Sequence, residues 1–509
     1  MNLKGNNSNW IFFGLGILIL SITLLFPIGS DLSIFIQGGM ILQNGGELYV
    51  DYFDVKPPFV YYLFEMLYGL FDKGIIGYRI FDLLYQATFL ISSIFIFRKL
   101  KIKNSVINIF VITVPLLYTT FGYANIFQVE SLFFLPFIWY FYYSFKSENN
   151  YKNAIIKGLL LATIFNLKYT LGIVLIADIY FIATTYKLNK ENIFKIIVQI
   201  ITFVFITFLL FLPVVSNGNI DGMFRFMNYM SDYSSYPKWD MSQILYMIKS
   251  LTIHFSDNLS LFLFISFLFA LILDKENKQK RIIDYGLLYF ILLLTTIILE
   301  RKGLAYHYQR LLPVYGLIAS FGISYILREL KKKKIIYVVL ASLFILIYSP
   351  IPRYINLLKV PYYYFTSDEI KYYNSFKDGK YGAIVHKHKK VAEYLNSNHK
   401  SDKVLLMSAN GNEMITFLDE DYKYSMAMSS FYLNNISPEE IRNIAFEDME
   451  DSEIIVIVKN DYSPITFFEN ISSLEALKKN SKFYNYLNNR FTLDSTIEDT
   501  FVIYKRNKY

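Results

Sequence analysis

The strongest constraint on this chain is a series of long stretches that carry no charge. Residues 5–30, 105–129, 131–145, 196–220, 258–273, 285–299, 311–327 and 335–352 are such runs. Shorter ones cover 83–97, 158–167 and the segment after Lys168. A helix of about 20 apolar residues spans the hydrocarbon of a bilayer. A chain with this many such runs is a polytopic α-helical membrane protein. The composition agrees, with 54% hydrophobic, 18% aromatic and only 18% charged residues in 509.

The formal net charge of +8 does not point to nucleic acid, because the basic residues sit in short clusters between apolar runs. Arg98, Lys99, Lys101 and Lys103 form one cluster, and Lys146, Lys152 and Lys157 the next. Further clusters are Lys187, Lys190 and Lys195, then Lys275, Lys278, Lys280 and Arg281, then Arg328 with Lys331 to Lys334. Their recurrence at every second loop follows the positive-inside rule and predicts about 11 transmembrane helices, a cytoplasmic N-terminus and an external C-terminus. The first run reads as an uncleaved span, since it is long, has only Lys4 before it and lacks an Ala-x-Ala site before Asp31. With no cysteine in the chain, disulfides, thiolate metal sites and cysteine nucleophiles are excluded.

The composition divides the chain into a transmembrane domain, 1–352, and an extracytoplasmic domain, 353–509. Two long outer loops, about 29–74 and 215–250, interrupt the first part. The earlier loop is half apolar (Phe35, Ile36, Phe59, Tyr61, Tyr62, Phe64), which suits short interfacial helices. The second part reads as a small α/β domain. Lys403–Ala409, Glu453–Lys459 and Thr500–Lys505 have the pattern of buried strands, and Ser437-Pro438-Glu439-Glu440 that of a capping box.

A few polar residues at span ends carry chemical potential. Asp31 closes the first run; it is either a helix-end carboxylate or a general base at the membrane surface. Lys56 precedes Pro57-Pro58, a rigid extended turn, and is either a snorkelling lysine or a point charge for a phosphate. Glu130 is the only charge between residues 105 and 145, and an ionisable residue at membrane depth is a functional candidate, unless it reaches water at the span end. Lys168 lies at the outer turn between two spans. Arg301, Lys302, His307 and Arg310 share one basic outer loop, which runs against the positive-inside trend and suggests an anionic partner outside. Asp178 would be costly facing lipid, and His254 and Asp257 flank a span with no assignable role. No Walker loop, GxGxxG, HExxH or GxSxG is present, which argues against a nucleotide-driven pump.

The order of these features resembles the C-type glycosyltransferases, in the branch of protein O-mannosyltransferases and the lipid A aminoarabinose transferase. The resemblance rests on Asp31 after the first span, Lys56-Pro57-Pro58 in the first loop, Glu130 opening the fourth span, Lys168 closing the fifth, and His307-Tyr308 with Pro313 opening a late span. It covers about residues 10–350. It implies inverting transfer of one sugar from a polyprenyl-phosphate donor to an extracytoplasmic acceptor (lipid-linked glycan, cell-envelope polymer or protein), with the membrane as partner and no nucleic acid. Asp31 would be the catalytic carboxylate and Glu130 the second acidic residue. Lys56, Lys168, Arg301, His307 and Arg310 would contact the donor phosphate. Asp31 lacks the acidic neighbour common in the family, which leaves a divalent metal held by Asp31 and Glu130 an open expectation. The competing readings are an envelope polysaccharide polymerase or ligase, which would concentrate Arg and His in a late loop, and a lipid-linked saccharide transporter, which would show matching Gly- or Pro-broken halves.

Overall fold

The computed structural model describes residues 8–145, 150–186, 189–235, 238–272, 277–330, 351–376 and 385–507, apart from 401, 410, 411, 420–425, 427, 429, 435, 463–466 and 468. Lys146, Lys187, Lys275, Lys331 to Lys334 and most of the apolar run 335–352 lie outside the described residues. The chain folds into two compact units that interleave along the sequence. The first is Met1–Phe26, Arg79–Leu210 and Asp240–Pro361; the second is Pro27–Tyr78, Phe211–Trp239 and Tyr362–Tyr509. Compositional division at 352 follows charge, whereas packing groups the loop 29–74 and residues 215–239 of the second loop with the C-terminal residues.

The first unit is helical. Among the described residues, six helices are long and apolar enough to cross a membrane: Ser8–Leu25, Ile75–Lys99, Tyr169–Tyr186, Lys190–Ser216, Gln279–Glu300 and Ala305–Arg328. Met241–Asp257 and Leu261–Leu271 make a seventh if this pair, bent by 94°, is one span. The runs at 105–129, 131–145 and 158–167 form the shorter helices Asn104–Thr120, Phe134–Phe145 and Tyr151–Leu167. The chain is an integral membrane protein. Without water in the bilayer, helices associate through close packing, and small residues permit it. A Cβ on Gly322 would run into the carbonyl oxygen of Ser266, and one on Gly16 into that of Val111. Asp178 is fully buried, and Lys157 reaches its carboxylate at 2.9 Å. Lys157 therefore neutralises an interior charge instead of joining the solvated basic cluster to which its sequence position assigned it.

The second unit contains a four-stranded sheet built from β1 (Val404–Met407), β2 (Ile454–Val458), β3 (Phe491–Ile497) and β4 (Phe501–Arg506). The order is β1-β2-β4-β3, with β1 parallel to β2 and the other pairs antiparallel. Glu498 and Asp499, both at positive φ, make the tight β3–β4 turn. The expected capping box at Ser437 does not form. Ser437 Oγ donates to the Phe431 carbonyl at 2.6 Å, and helix Glu439–Asp451 starts from Pro438 with no side-chain cap. The box occurs instead at Ser472 and Glu475.

The loop 29–74 and residues 215–239 of the second loop are built into this unit. Helices Ser30–Gln43 and Pro58–Phe71 pack on each other, burying Phe35, Ile36, Tyr61 and Phe64. The first also packs on the 3-10 turn Asn412–Phe417. Lys73 Nζ donates to the carbonyl of Leu418 at 3.1 Å, and Phe53 bridges to Met426. From the second loop, Asn434 donates to the Tyr229 hydroxyl at 2.8 Å, Arg225 pairs with Glu440, and Asn219 donates to Glu47 at 2.7 Å.

Asp461 anchors the C-terminal ends of β1 and β2. Its buried carboxylate accepts from Ser408 Oγ, the Ala409 amide, and the amide and hydroxyl of Ser473 at 2.6–3.1 Å. Burial pushes it from the ordinary 3.8 up to about 6, although these hydrogen bonds pull the other way. A raised folded-state value means that folding binds the proton more tightly, so this group's contribution is largest below about pH 4 and is lost as pH rises to about 6. The thermal midpoint of wild type minus that of Asp461→Asn should decline across that window and level off above it. A difference that does not vary with pH would contradict this.

Candidate functional site

The first unit brings together four charged groups from distant parts of the chain. Local structure explains each position. Glu130 lies in the short helix Val129–Leu132, entered after Phe127 at positive φ. Lys168 follows the end of Tyr151–Leu167 in extended conformation, which frees its side chain from the helix. Glu300 is the last residue of Asn277–Glu300, and Arg301 leaves that helix at φ 57°. The 3-10 turn Ala305–Leu311 places His307 and Arg310 three residues apart on one face.

Arg310 is fully buried. One amino group donates to Glu300 Oε1 at 2.8 Å and Thr296 Oγ1 at 2.8 Å. The other donates to Glu130 Oε1 at 2.9 Å and Glu300 Oε2 at 3.0 Å. Lys168 Nζ reaches the same two carboxylates at 2.7 and 3.0 Å. Thr170 donates to Glu300 at 2.7 Å, and His307 Nδ1 lies 3.2 Å from it. Two cations thus meet two carboxylates with a histidine at the edge.

The neighbouring loop is held through its backbone. Gln243 donates to the Arg301 carbonyl at 2.8 Å, Tyr246 to that of Lys302 at 3.1 Å, and Ser250 to that of Gly303 at 3.0 Å. His254 Nε2 lies 3.1 Å from the Gly303 carbonyl and its ring packs at a tilt against Tyr308. Gly303 has φ 57°, and a Cβ there would meet Ser250 Oγ at 2.7 Å. Burial, with Arg301 adjacent, pushes the Lys302 amine down to about 8.

The second unit holds Asp31 and Lys56. Asp31 is in the first turn of Ser30–Gln43, but the cap position is Gly29, so its carboxylate is not the N-cap. Pro57 caps helix Pro58–Phe71 and Pro58 opens it, as the double proline suggests. This fixes Lys56 at the helix entrance, where Nζ lies 3.8 Å from Asp54 and 5.4 Å from the Phe35 ring centre. The Tyr61 hydroxyl donates to buried Asp54, and Tyr52 donates to the Ile34 carbonyl at 2.9 Å. Burial first, and the Asp54 charge second, hold both phenols well above their usual range.

The site residues expected from the sequence therefore fall into two groups. Glu130, Lys168, His307 and Arg310 make one cluster, beside which Arg301 contributes its backbone carbonyl; Asp31 and Lys56 lie in the other unit. Glu300 was missed, although it follows the run 285–299 directly, as Asp31 follows the first run. Glu130 Oε1 faces Lys168 and Arg310, and among the described residues there is no group of three or more His, Asp or Glu placed to hold a metal ion.

Residues 55–216 match the family model described as dolichyl-phosphate-mannose-protein mannosyltransferase. In fold, the chain is similar to ArnT from Cupriavidus metallidurans, solved bound to undecaprenyl phosphate, with TM-score 0.59, 10% identity and 98% of each chain covered. A second similar structure is the archaeal oligosaccharyltransferase AglB from Archaeoglobus fulgidus, in complex with an inhibitory peptide and a dolichol phosphate. Its TM-score is 0.45 at 9% identity, covering 88% of this chain and 69% of that one. No curated protein matches in sequence. The resemblance expected from the motif order is thus met in sequence over residues 55–216 and in fold over nearly the whole chain.

Arg310→Ala would leave two carboxylates sharing Lys168. Removing one partner of a buried pair typically costs about 3–5 kcal/mol. A large fall in the thermal midpoint of the purified protein should follow, with Arg310→Lys intermediate because an ammonium lacks the planar fork. A wild-type midpoint in Arg310→Ala would show that the cluster contributes little to stability.

Proposed function

We propose that this protein is a membrane glycosyltransferase that moves one sugar from a polyprenyl-phosphate donor to an extracytoplasmic acceptor, with inversion at the anomeric carbon. The acceptor is a lipid-linked glycan, a cell-envelope polymer or a protein. The observation that carries the reading is the match of residues 55–216 to a mannosyltransferase family, in a chain whose fold is also that of a protein solved with undecaprenyl phosphate.

In this reading Asp31 takes the proton from the attacking hydroxyl or amine as the new bond to the anomeric carbon forms. The bond from that carbon to the phosphate oxygen breaks, and polyprenyl phosphate leaves with the electron pair. Lys56, held by the proline turn, meets the phosphate as a point charge. Lys168, Arg301, His307 and Arg310 add positive charge for the leaving group, and Glu130 holds two of them in place. Preorganised cations at a dehydrated site stabilise charge that develops in the transition state. A lipid-borne donor needs no nucleotide pocket, consistent with the missing Gly-rich motifs.

Two substitutions test the assignments. Asp31→Asn keeps size but cannot take a proton, so turnover should fall by about 10²–10⁴-fold with donor binding largely retained. If Asp31 only favours the helix N-terminus electrostatically, the cost is about 0.3–1 kcal/mol of stability and turnover stays near wild type. Lys56→Ala should raise the KM for the donor without loss of folded protein. Release of polyprenyl phosphate from labelled donor is the measurement for both, and an unchanged KM in Lys56→Ala would remove that residue from the phosphate site.

A further inference from the structure

Lys168 and Arg310 are already matched by two carboxylates, so a phosphate that binds these two cations displaces one of them. The two are held differently. Glu130 has no exposed surface, and its Oε1 accepts from both Lys168 and Arg310. The Glu300 side chain is 13% exposed, beside a Lys168 that is 16% exposed. Glu300 also ends its helix, where the macrodipole opposes negative charge, and the chain turns at once through Arg301 at φ 57°. Its position is therefore owed to the groups around it: Lys168, the Arg310 fork, the Thr170 hydroxyl and His307.

Of these, Lys168 and the Arg310 fork are the donors that suit a phosphate. An arginine fork grips carboxylate and phosphate oxygens in the same bidentate way. We propose that Glu300 is a placeholder for the donor phosphate: its carboxylate occupies the anion position of the empty site, gives way when the lipid phosphate arrives, and returns as the product leaves. This rests on the proposed function for the identity of the anion. A sugar phosphodiester carries one negative charge, as Glu300 does, so the exchange of Glu300 for the donor leaves the cations compensated. That avoids the large cost of an unpaired buried charge. The exchange moves no proton and makes no covalent bond.

Two variants weaken the placeholder. Glu300→Gln removes its charge. Thr170→Val removes one hydrogen bond to it at an exposed position, which leaves every charge in place and the fold undisturbed. The full chain in lipid nanodiscs would be titrated with undecaprenyl phosphate, and turnover measured with a polyprenyl-phosphate sugar. With the competitor weakened, both variants should bind undecaprenyl phosphate at least about threefold tighter, the scale of one net hydrogen bond. Slower product release should lower kcat and KM together. Unchanged or weaker binding in Thr170→Val, at a wild-type thermal midpoint, overturns the placeholder while leaving the glycosyltransferase reading intact. A wild-type chain that binds no polyprenyl phosphate and turns over no lipid-linked sugar overturns that reading, and this one with it.

Discussion

Arg310 connects parts of the first unit that nothing local would hold together. Its guanidinium reaches a carboxylate 180 residues earlier, another 10 residues earlier and a threonine in the same helix as the latter. In an apolar interior, none of these charges could be buried alone. The helix ends at 130, 168, 300 and 310 therefore meet where their charges cancel. Aromatic pairs in the same unit, such as Phe137 and Phe141 on Tyr289, are each worth only about 0.5–1.5 kcal/mol beyond their buried area. The ion pairs are what select one register.

The same logic, in milder form, orders the loop after Glu300. The carbonyls of Arg301, Lys302 and Gly303 need donors, and Gln243, Tyr246 and Ser250, along one helix, supply one each. Polar side chains that in water would contribute little serve here to satisfy backbone groups. In the second unit, apolar burial dominates. Asp31 lies on one helix and Lys56 at the entrance of another; the two helices pack on each other, and the first also packs on the C-terminal 3-10 turn.

Much of the architecture could be read from local pattern. The apolar runs announced the membrane, and β1, β2 and β4 were visible because strands buried on both faces read as continuous apolar segments. β3 was not, because Phe491–Ile497 mixes Asp494, Ser495 and two threonines into a largely exposed strand. Glu130, Lys168, His307 and Arg310 were each suspect from cost or position, but their meeting point was not, since pairing across 38 or 180 residues leaves no periodic trace. Glu300 went unseen because a lone acid at a helix end is usually solvated. The loop residues Phe35, Tyr61 and Phe64 suggested an interfacial surface, and composition alone cannot distinguish lipid from protein as the apolar partner.

The interleaving of the two units has a consequence for how the chain is made. The helix bearing Asp31 and the one entered after Lys56 emerge first, yet the 3-10 turn at 412–417 that supports one of them and the carbonyls that receive Lys73 lie more than 300 residues downstream. At roughly 5–20 residues per second of synthesis, the interval is on the order of tens of seconds. Throughout that time the early loop has only its own two helices to pack together. The candidate catalytic segment therefore reaches its final support only after residues 412–417 have been made, and a product that stalls before residue 412 carries Asp31 and Lys56 on an unsupported loop.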